Sequence, residues 1–510
     1  MQNPVIGYKA LDRTTQLYLS FSLVGAMVLP IILTGYDYSY YQVLLATLLI
    51  IVCLYPTARY FARKESGIPT MAILCLAYAL QFGLPVFTRD ATFELMAREI
   101  RFLNDADVIA ALLMAIVGVT LLQFGYYGFR ASNLVRLVPS AHLPLNKARA
   151  ILYCLIVGFV LPLVFTIKDI IPEEYQAPLS SALTLLQNQI LVVIAILGWL
   201  VYSRRGSKWF AVALYGAVGI AALRGVGNGI LEQALAPIGV VFIIKWMYTR
   251  RIPVGAILAV TALVLFLSPV KNEFRQRVMT DPGGEQLAEQ LLISKAAAWI
   301  EQASVYWVET LKGDRDLTEA TSGATLRTDL IHQVAHIHSM TPSEVPYQYG
   351  ETYSYFVVAL IPRVLWPDKP VAGSANSFFG INYGLQTEES AKITTFGVSI
   401  LGEAFMNFGW PGVALIMLFQ GLILAVLQHI FGDSRSGPGG QAVFLAFFVF
   451  FLNGIGSSAE ILFGNVLQNL LCGYFLLLWA RERRSKSTVA DVSFAHPSLY
   501  RRPADHRLSS

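Results

Sequence analysis

Recurrent apolar runs restrict this chain more than any motif in it. They measure about 15–24 residues and fall near 17–34, 41–57, 68–87, 107–128, 150–167, 181–202, 209–222, 230–248, 252–270, 411–431, 441–456 and 461–480. A helix crosses a hydrocarbon layer about 30 Å thick with roughly 20 apolar residues, so about twelve crossings are expected. Only 14% of the 510 residues are charged and the mean hydropathy is +0.55, whereas an ordinary soluble domain is about 25% charged. Disorder, collagen, a small disulfide scaffold and an ordinary cytosolic enzyme are excluded together. Cys53, Cys75, Cys154 and Cys472 all fall inside apolar runs, with no C-x-x-C pair, and read as small core residues rather than disulfide or metal ligands. The first run has a long apolar stretch with no A-x-A site behind it, so it is expected to stay as a span rather than be cleaved as a signal.

The net charge of +5 gains meaning when sorted by connection. Alternate connections hold Arg59, Arg63 and Lys64; then Arg130, Arg136, Lys147 and Arg149; then Arg204, Arg205 and Lys208; then Arg250 and Arg251; and last the tail with Arg481, Arg483, Arg484 and Lys486. The intervening connections are poor in cations, except 88–106, where Arg89, Arg98 and Arg101 are balanced by acids. Cytoplasmic loops carry the excess of Lys and Arg. Both termini are therefore expected in the cytoplasm, with spans 1–9 over 1–270, an outer segment over 271–396, spans 10–12 over 397–480 and a disordered basic tail over 481–510.

The outer segment should be helical rather than structureless. Leu287, Leu291, Ala296, Ile300, Ala303, Trp307 and Leu311 recur at helical spacing, which predicts an amphipathic helix over 284–312. Trp299, Tyr306 and Trp307 are expected at lipid headgroup level. A second helical stretch is expected over about 325–339, and a short apolar one from Tyr353 to Val364 runs into Pro362. Together they predict a helical cap on the membrane surface. The chain has no phosphate loop, H-E-x-x-H or G-x-S-x-G motif, which argues against a nucleotide-driven pump.

Two places depart from an apolar membrane pattern. In Leu223-Arg224-Gly225-Val226-Gly227-Asn228-Gly229, three glycines in five positions are expected to open the helix. An ionisable residue at such a place is a site candidate: Arg224 either snorkels to headgroups or faces a cavity and holds a phosphate. Glu232 nearby reads as a structural hydrogen-bond partner. The second place is the outer segment, which carries ten Lys/Arg against fifteen Asp/Glu, so its arginines are not part of a basic surface. Arg275 and Arg277 follow the ninth span, where a lipid-linked phosphate would lie, and arginine's planar fork suits phosphate; surface ion pairs with nearby acids are the alternative. His332 and His336, at i and i+4, read as satisfied histidines before metal ligands, with a base for a sugar hydroxyl as the remaining option for the cluster that includes His338. No metal site and no cofactor are expected.

Tyr349-Gly350-Glu351-Thr352-Tyr353, then Ile361-Pro362-Arg363, Leu365-Trp366-Pro367 and Lys369-Pro370, and later Gly402-Glu403 with Asn407-Phe408-Gly409, form a pattern that resembles bacterial O-antigen and oligosaccharide repeat-unit polymerases of the Wzy type. The plan of about a dozen spans with one large late outer loop is similar too. The resemblance implies an all-α polytopic membrane protein of GT-C-like architecture in the bacterial inner membrane. It implies transfer of a growing glycan from a polyprenyl-pyrophosphate carrier to a sugar hydroxyl of the next unit at the periplasmic face. On that reading Arg363, Glu351 and Glu403 are the catalytic candidates. Arg224, Arg275, Arg277, Arg327, Tyr353, Lys369 and Asn407 are the substrate-binding candidates. Fixed arginines would stabilise charge on the departing pyrophosphate, and a carboxylate, or His332 or His338, would accept the hydroxyl proton. Tyr347, Tyr349, Tyr353 and Trp366 would stack on sugar rings. The lipid bilayer, a flippase and a chain-length regulator are the implied partners, and nucleic acid is not. The nearest alternatives are an O-antigen ligase-like transferase and a flippase of lipid-linked glycans.

Overall fold

The computed structural model describes residues 39–63, 67–88, 103–161, 184–203, 207–227, 229–249, 254–271, 273–274, 292–315, 329–354, 356, 361, 366, 374–392 and 396–482. The expected first span, Arg275, Arg277, Arg327, Arg363, Lys369 and the tail beyond Glu482 lie outside them. The described residues form helices: α1 Tyr40–Arg63, α2 Thr70–Tyr78 with its continuation to Thr88, α3 Asp105–Ala131 and α4 Lys147–Leu155 with its continuation to Val160. Next come α5 Ile190–Tyr202, α6 Lys208–Gly227, α7 Leu231–Thr249 and α8 Val254–Leu267. The rest are α9 Leu292–Lys312, α10 Ile331–Met340, α11 Ser374–Asn382, α12 Ile400–Leu427, α13 Gly437–Asn453 and α14 Ala459–Ala480. No strand occurs among the described residues, as expected of backbone that must satisfy itself in lipid. Among them, nine helices are long and apolar enough to cross a membrane. Val254–Leu267, expected as a full span over 252–270, is a shorter apolar helix.

The helices share one set of ends. At one end Gln42 Nε2 donates to Asp105 Oδ1 (3.1 Å), Leu330 N donates to the Gln81 carbonyl (3.0 Å), and Ser399 N donates to the Gly456 carbonyl (3.3 Å). At the other, Arg130 pairs with Asp433 (3.0 Å), Asn146 N donates to the Ala480 carbonyl (3.1 Å), and Arg149 Nη1 donates to the Trp479 carbonyl (3.3 Å). That second end, with Arg130, Arg149 and Arg481, is the basic one.

The central packing joins α3 to α12 through small residues. A Cβ on Gly421 would stand 2.0 Å from the Leu122 carbonyl oxygen, and one on Gly125 would stand 2.3 Å from that of Leu418. Here backbone meets backbone, as small residues allow between helices in lipid. The chain of α12 is itself broken. Gly409 has φ 62 and ψ −147, a conformation open essentially to glycine, and Pro411 follows it. A Cβ on Gly412 would stand 2.3 Å from the Ala404 carbonyl oxygen. Residues eight apart in a straight helix would be about 12 Å apart, so 400–408 folds back on the arm that follows. The second arm matches the span expected over 411–431; the first arm is a separate short helix.

Two expectations are corrected here. The glycine-rich segment does not open its helix: α6 runs unbroken to Gly227, Gly225 packs against the Ala234 backbone, and Gly229 (φ 68) makes the tight turn into α7. Close helix approach accounts for Gly225 and the turn for Gly229, and Glu232 is exposed in the first turn of α7. The aromatics of α9 do not all face lipid headgroups. Trp299 and Tyr306 are buried; Trp299 stacks on Phe274 (5.0 Å, 9°) and its indole N–H donates to the Leu267 carbonyl (3.2 Å). The Trp307 indole donates to the Phe266 carbonyl (3.0 Å). Both indoles satisfy orphan carbonyls at the C-terminus of α8. The outward apolar residues of α9 are Ile293, Ile300, Val305, Val308 and Leu311.

Candidate functional site

At the end opposite the basic one, the loop 347–354 is fastened to the first arm of α12. Ser399 starts that arm, its hydroxyl capping the Gly402 amide (3.1 Å). Two buried polar side chains then project one turn apart, Glu403 and Asn407. The Asn407 amide donates to Thr352 Oγ1 and to the Glu403 carbonyl (2.8 Å each), and its oxygen accepts from the Gly350 amide (2.9 Å). The backbone adds a short ladder, with Gln348 N donating to the Met406 carbonyl and Tyr349 N to that of Asn407 (3.1 Å each). Glu403 completes the cluster: its carboxylate accepts from Thr352 Oγ1 (2.8 Å) and from the Ala459 amide (2.6 Å) at the start of α14. A carboxylate at a helix N-terminus meets an orphan N–H and the positive end of the helix dipole. One buried carboxylate thereby ties the loop, the folded-back arm and α14 together.

The loop's backbone is bent to fit. Gly350 has φ 94 and packs on Phe408, and Tyr349 holds a left-handed φ of 46, uncommon for a residue with a side chain. Such backbone persists where surrounding contacts enforce it, and it clusters at working sites. The outcome is that the Tyr349 ring is 77% exposed, edge-on to Tyr347 (6.2 Å). Glu351, next in line, begins a 3-10 turn with its side chain in solvent. Tyr353 stacks on Phe408 (6.3 Å, 19°) with its hydroxyl buried and without a hydrogen-bond partner among the described residues. Burial, with the nearby Glu403 second, pushes its phenol well above the usual range, so it stays protonated.

Of the candidates read from sequence, Glu351, Tyr353, Glu403 and Asn407 are therefore brought together. Arg224 belongs to another element, the last turn of α6, where it is half-buried. Glu403, expected as a possible proton acceptor, faces Thr352 and the α14 N-terminus instead of an open surface. The histidines of α10 differ in fate. His332 Nδ1 meets Asp329 (2.6 Å) and His336 Nε2 donates to the Tyr383 carbonyl (2.8 Å), both buried in packing. His338 Nδ1 meets Asp107 Oδ1 (2.8 Å) at the start of α3. No group of three metal-ligating side chains occurs among the described residues.

Sequence reading missed the Thr352 bridge, the α14 terminus at Ala459 and the His338–Asp107 pair. Thr352 lay within the recognised motif, but its role depends on Glu403, 51 residues away. The His338–Asp107 pair spans 231 positions, and no local pattern could announce it.

A family model described as O-antigen polysaccharide polymerase Wzy matches residues 18–483, which contain every residue of this cluster. The chain belongs to that family. As a Wzy-family protein it is an integral membrane repeat-unit polymerase, and the family acts on lipid-linked oligosaccharides in the membrane. No curated protein and no solved structure matches the chain.

Proposed function

We propose that this polymerase joins polyprenyl-pyrophosphate-linked repeat units at the periplasmic face of a bacterial inner membrane, at the end of the bundle that carries loop 347–354. The observation that carries the placement is the fastening of the motif loop, through Asn407 and Glu403, at the end opposite the basic residues Arg130, Arg149 and Arg481. By the positive-inside bias the basic end, where α14 finishes, is cytoplasmic, which leaves the motif loop outside; the first span expected before α1 would bring the N-terminus to the cytoplasm as well.

In the reaction an acceptor sugar hydroxyl oxygen bonds to the anomeric carbon of the donor chain. The anomeric carbon–phosphate oxygen bond breaks, and the pyrophosphate leaves with the electron pair and its carrier. Arg363, with Arg275, Arg277, Arg327, Lys369 and Arg224, is assigned to the charge that grows on that leaving group. The exposed Tyr349 ring, with the partly buried Tyr347 beside it, offers a face for sugar, and the exposed Glu351 carboxylate accepts hydrogen bonds from its hydroxyls. Glu403, Asn407 and Tyr353 hold this surface in place. A flippase delivering the units and a regulator of chain length are the expected neighbours.

The test is Arg363→Ala and Arg224→Ala with protein level checked. Long polymer should disappear from both while single-unit capping of the acceptor lipid persists; loss of all capping would indicate a ligase instead. The matching lysine variants should recover only part of the polymer, since a point charge loses the fork. Normal chain-length distributions in both alanine variants would remove the assignment of a diphosphate cradle.

A further inference from the structure

We propose that His338 and Asp107 form the dyad that takes the proton from the acceptor sugar hydroxyl, an inference that rests on the polymerase reading above. Three histidines lie on α10, and only this one keeps access to solvent. His338 is 30% exposed and Asp107 14%, whereas His332 and His336 are sealed in the packing. The 2.8 Å contact joins His338 Nδ1 to a carboxylate oxygen. An ionised carboxylate can only accept, so Nδ1 carries the hydrogen and Nε2 presents its lone pair. Nε2 has no partner among the described residues. A carboxylate that fixes the ring and stabilises the imidazolium once formed is the general arrangement for a histidine base.

Position supports the assignment. Asp107 lies in the first turn of α3, where the helix N-terminus favours its negative charge. Asp105, in the same turn, is engaged by Gln42. From α12 the neighbour is apolar: the Phe405 ring packs against the imidazole at 5.5 Å. Phe405 meets Tyr347 at 6.2 Å, and Tyr347 meets the exposed Tyr349 at 6.2 Å. An aromatic row thus runs from the motif loop to the dyad through Phe405, which lies on the same short arm as Glu403 and Asn407. A sugar resting on Tyr347 and Tyr349 would bring a hydroxyl toward Nε2. The hydroxyl proton passes to Nε2 as its oxygen bonds to the anomeric carbon; the pyrophosphate departs with the electron pair, and the imidazolium later returns the proton to water.

The experiment uses the full chain in proteoliposomes, supplied with lipid-linked single repeat units extracted from cells that lack it. The wild-type chain should lengthen them. His338→Asn keeps an N–H toward Asp107 and much of the packing but has no basic nitrogen; its kcat should fall by about 100-fold or more with wild-type thermal stability. Imidazole should restore part of the turnover of His338→Ala. Asp107→Asn, which acts only through the histidine, should lower kcat by about tenfold with KM for the acceptor unchanged. Turnover of His338→Asn within about twofold of wild type, or a change confined to KM in Asp107→Asn, overturns the dyad and leaves the polymerase reading standing. A wild-type chain that lengthens nothing overturns both.

Discussion

Replacing Asn407 by alanine removes three hydrogen bonds at once, but their loss is not equal. The Glu403 carbonyl keeps its place in the helix ladder, so losing the side-chain donor there costs little. Thr352 Oγ1 loses its donor while still donating to Glu403. The Gly350 amide loses its acceptor outright. A buried group left unsatisfied costs about 1–3 kcal/mol; the Gly350 amide without its acceptor and the Thr352 hydroxyl reduced to one bond together give about 2–4 kcal/mol against the docked loop. At tenfold per 1.4 kcal/mol, the ratio of undocked to docked loop should rise by about 30- to 700-fold. Hydrogen exchange in detergent measures this directly, at the amides of Gln348 and Tyr349. Those two donate to backbone carbonyls of Met406 and Asn407, which the substitution leaves in place, so they report docking rather than the deleted contact. Global melting should move much less, because the opening is local. Exchange at Gln348 and Tyr349 within about threefold of wild type would refute the reasoning that Asn407 holds the motif loop.

Two further perturbations probe the scaffold. Gly409→Ala forces a side chain into a backbone conformation that costs about 1–3 kcal/mol and brings its Cβ 3.0 Å from the Tyr347 hydroxyl; polymer should shorten or vanish, and faster proteolysis across 400–412 is the physical readout. Gly421→Ala drives a Cβ into the Leu122 carbonyl, whereas Gly118→Ala meets movable side-chain atoms of Leu401 and Met417. The first should lower the melting temperature in micelles through about 1–3 kcal/mol of overpacking, and Gly118→Ala should lower it less; the reverse order would discard the backbone-contact account.

What could be read from sequence divides by distance along the chain. Apolar runs at membrane length predicted helices such as Thr70–Phe87, Asp105–Ala131 and Ala459–Ala480, because satisfying backbone in lipid leaves little choice. The Glu-Thr-Tyr and Glu-x-x-x-Asn segments were legible as chemistry, but their joining was not. Helical spacing places Glu403 and Asn407 on one face, yet only Gly409 turns that face back under the loop. Glycines are ambiguous in sequence for the same reason. In sequence Gly225 and Gly229 pattern as a broken helix, although a residue without a Cβ serves equally for tight contact and for a turn. By residue type the α9 tryptophans suit headgroup anchors, yet α8 takes them because its last carbonyls need donors.

The folded-back arm also explains why so polar a cluster is tolerated beside the membrane. A buried carboxylate is costly unless its hydrogen bonds are filled, and Glu403 meets that condition with a hydroxyl from one segment and a helix N-terminus from another. Each donor comes from a part of the chain that must be correctly placed for the carboxylate to be satisfied. The cluster therefore couples three otherwise separate pieces: the motif loop, the arm carrying Phe405 beside His338, and α14. Partial satisfaction of such a network is worse than none, so the loop should dock as a unit. A loop that docks as a unit presents Tyr347, Tyr349 and Glu351 in fixed relation to the His338–Asp107 pair. A transferase joining two large glycans gains most from this rigidity, because holding the hydroxyl in line with the anomeric carbon is itself a large part of the rate.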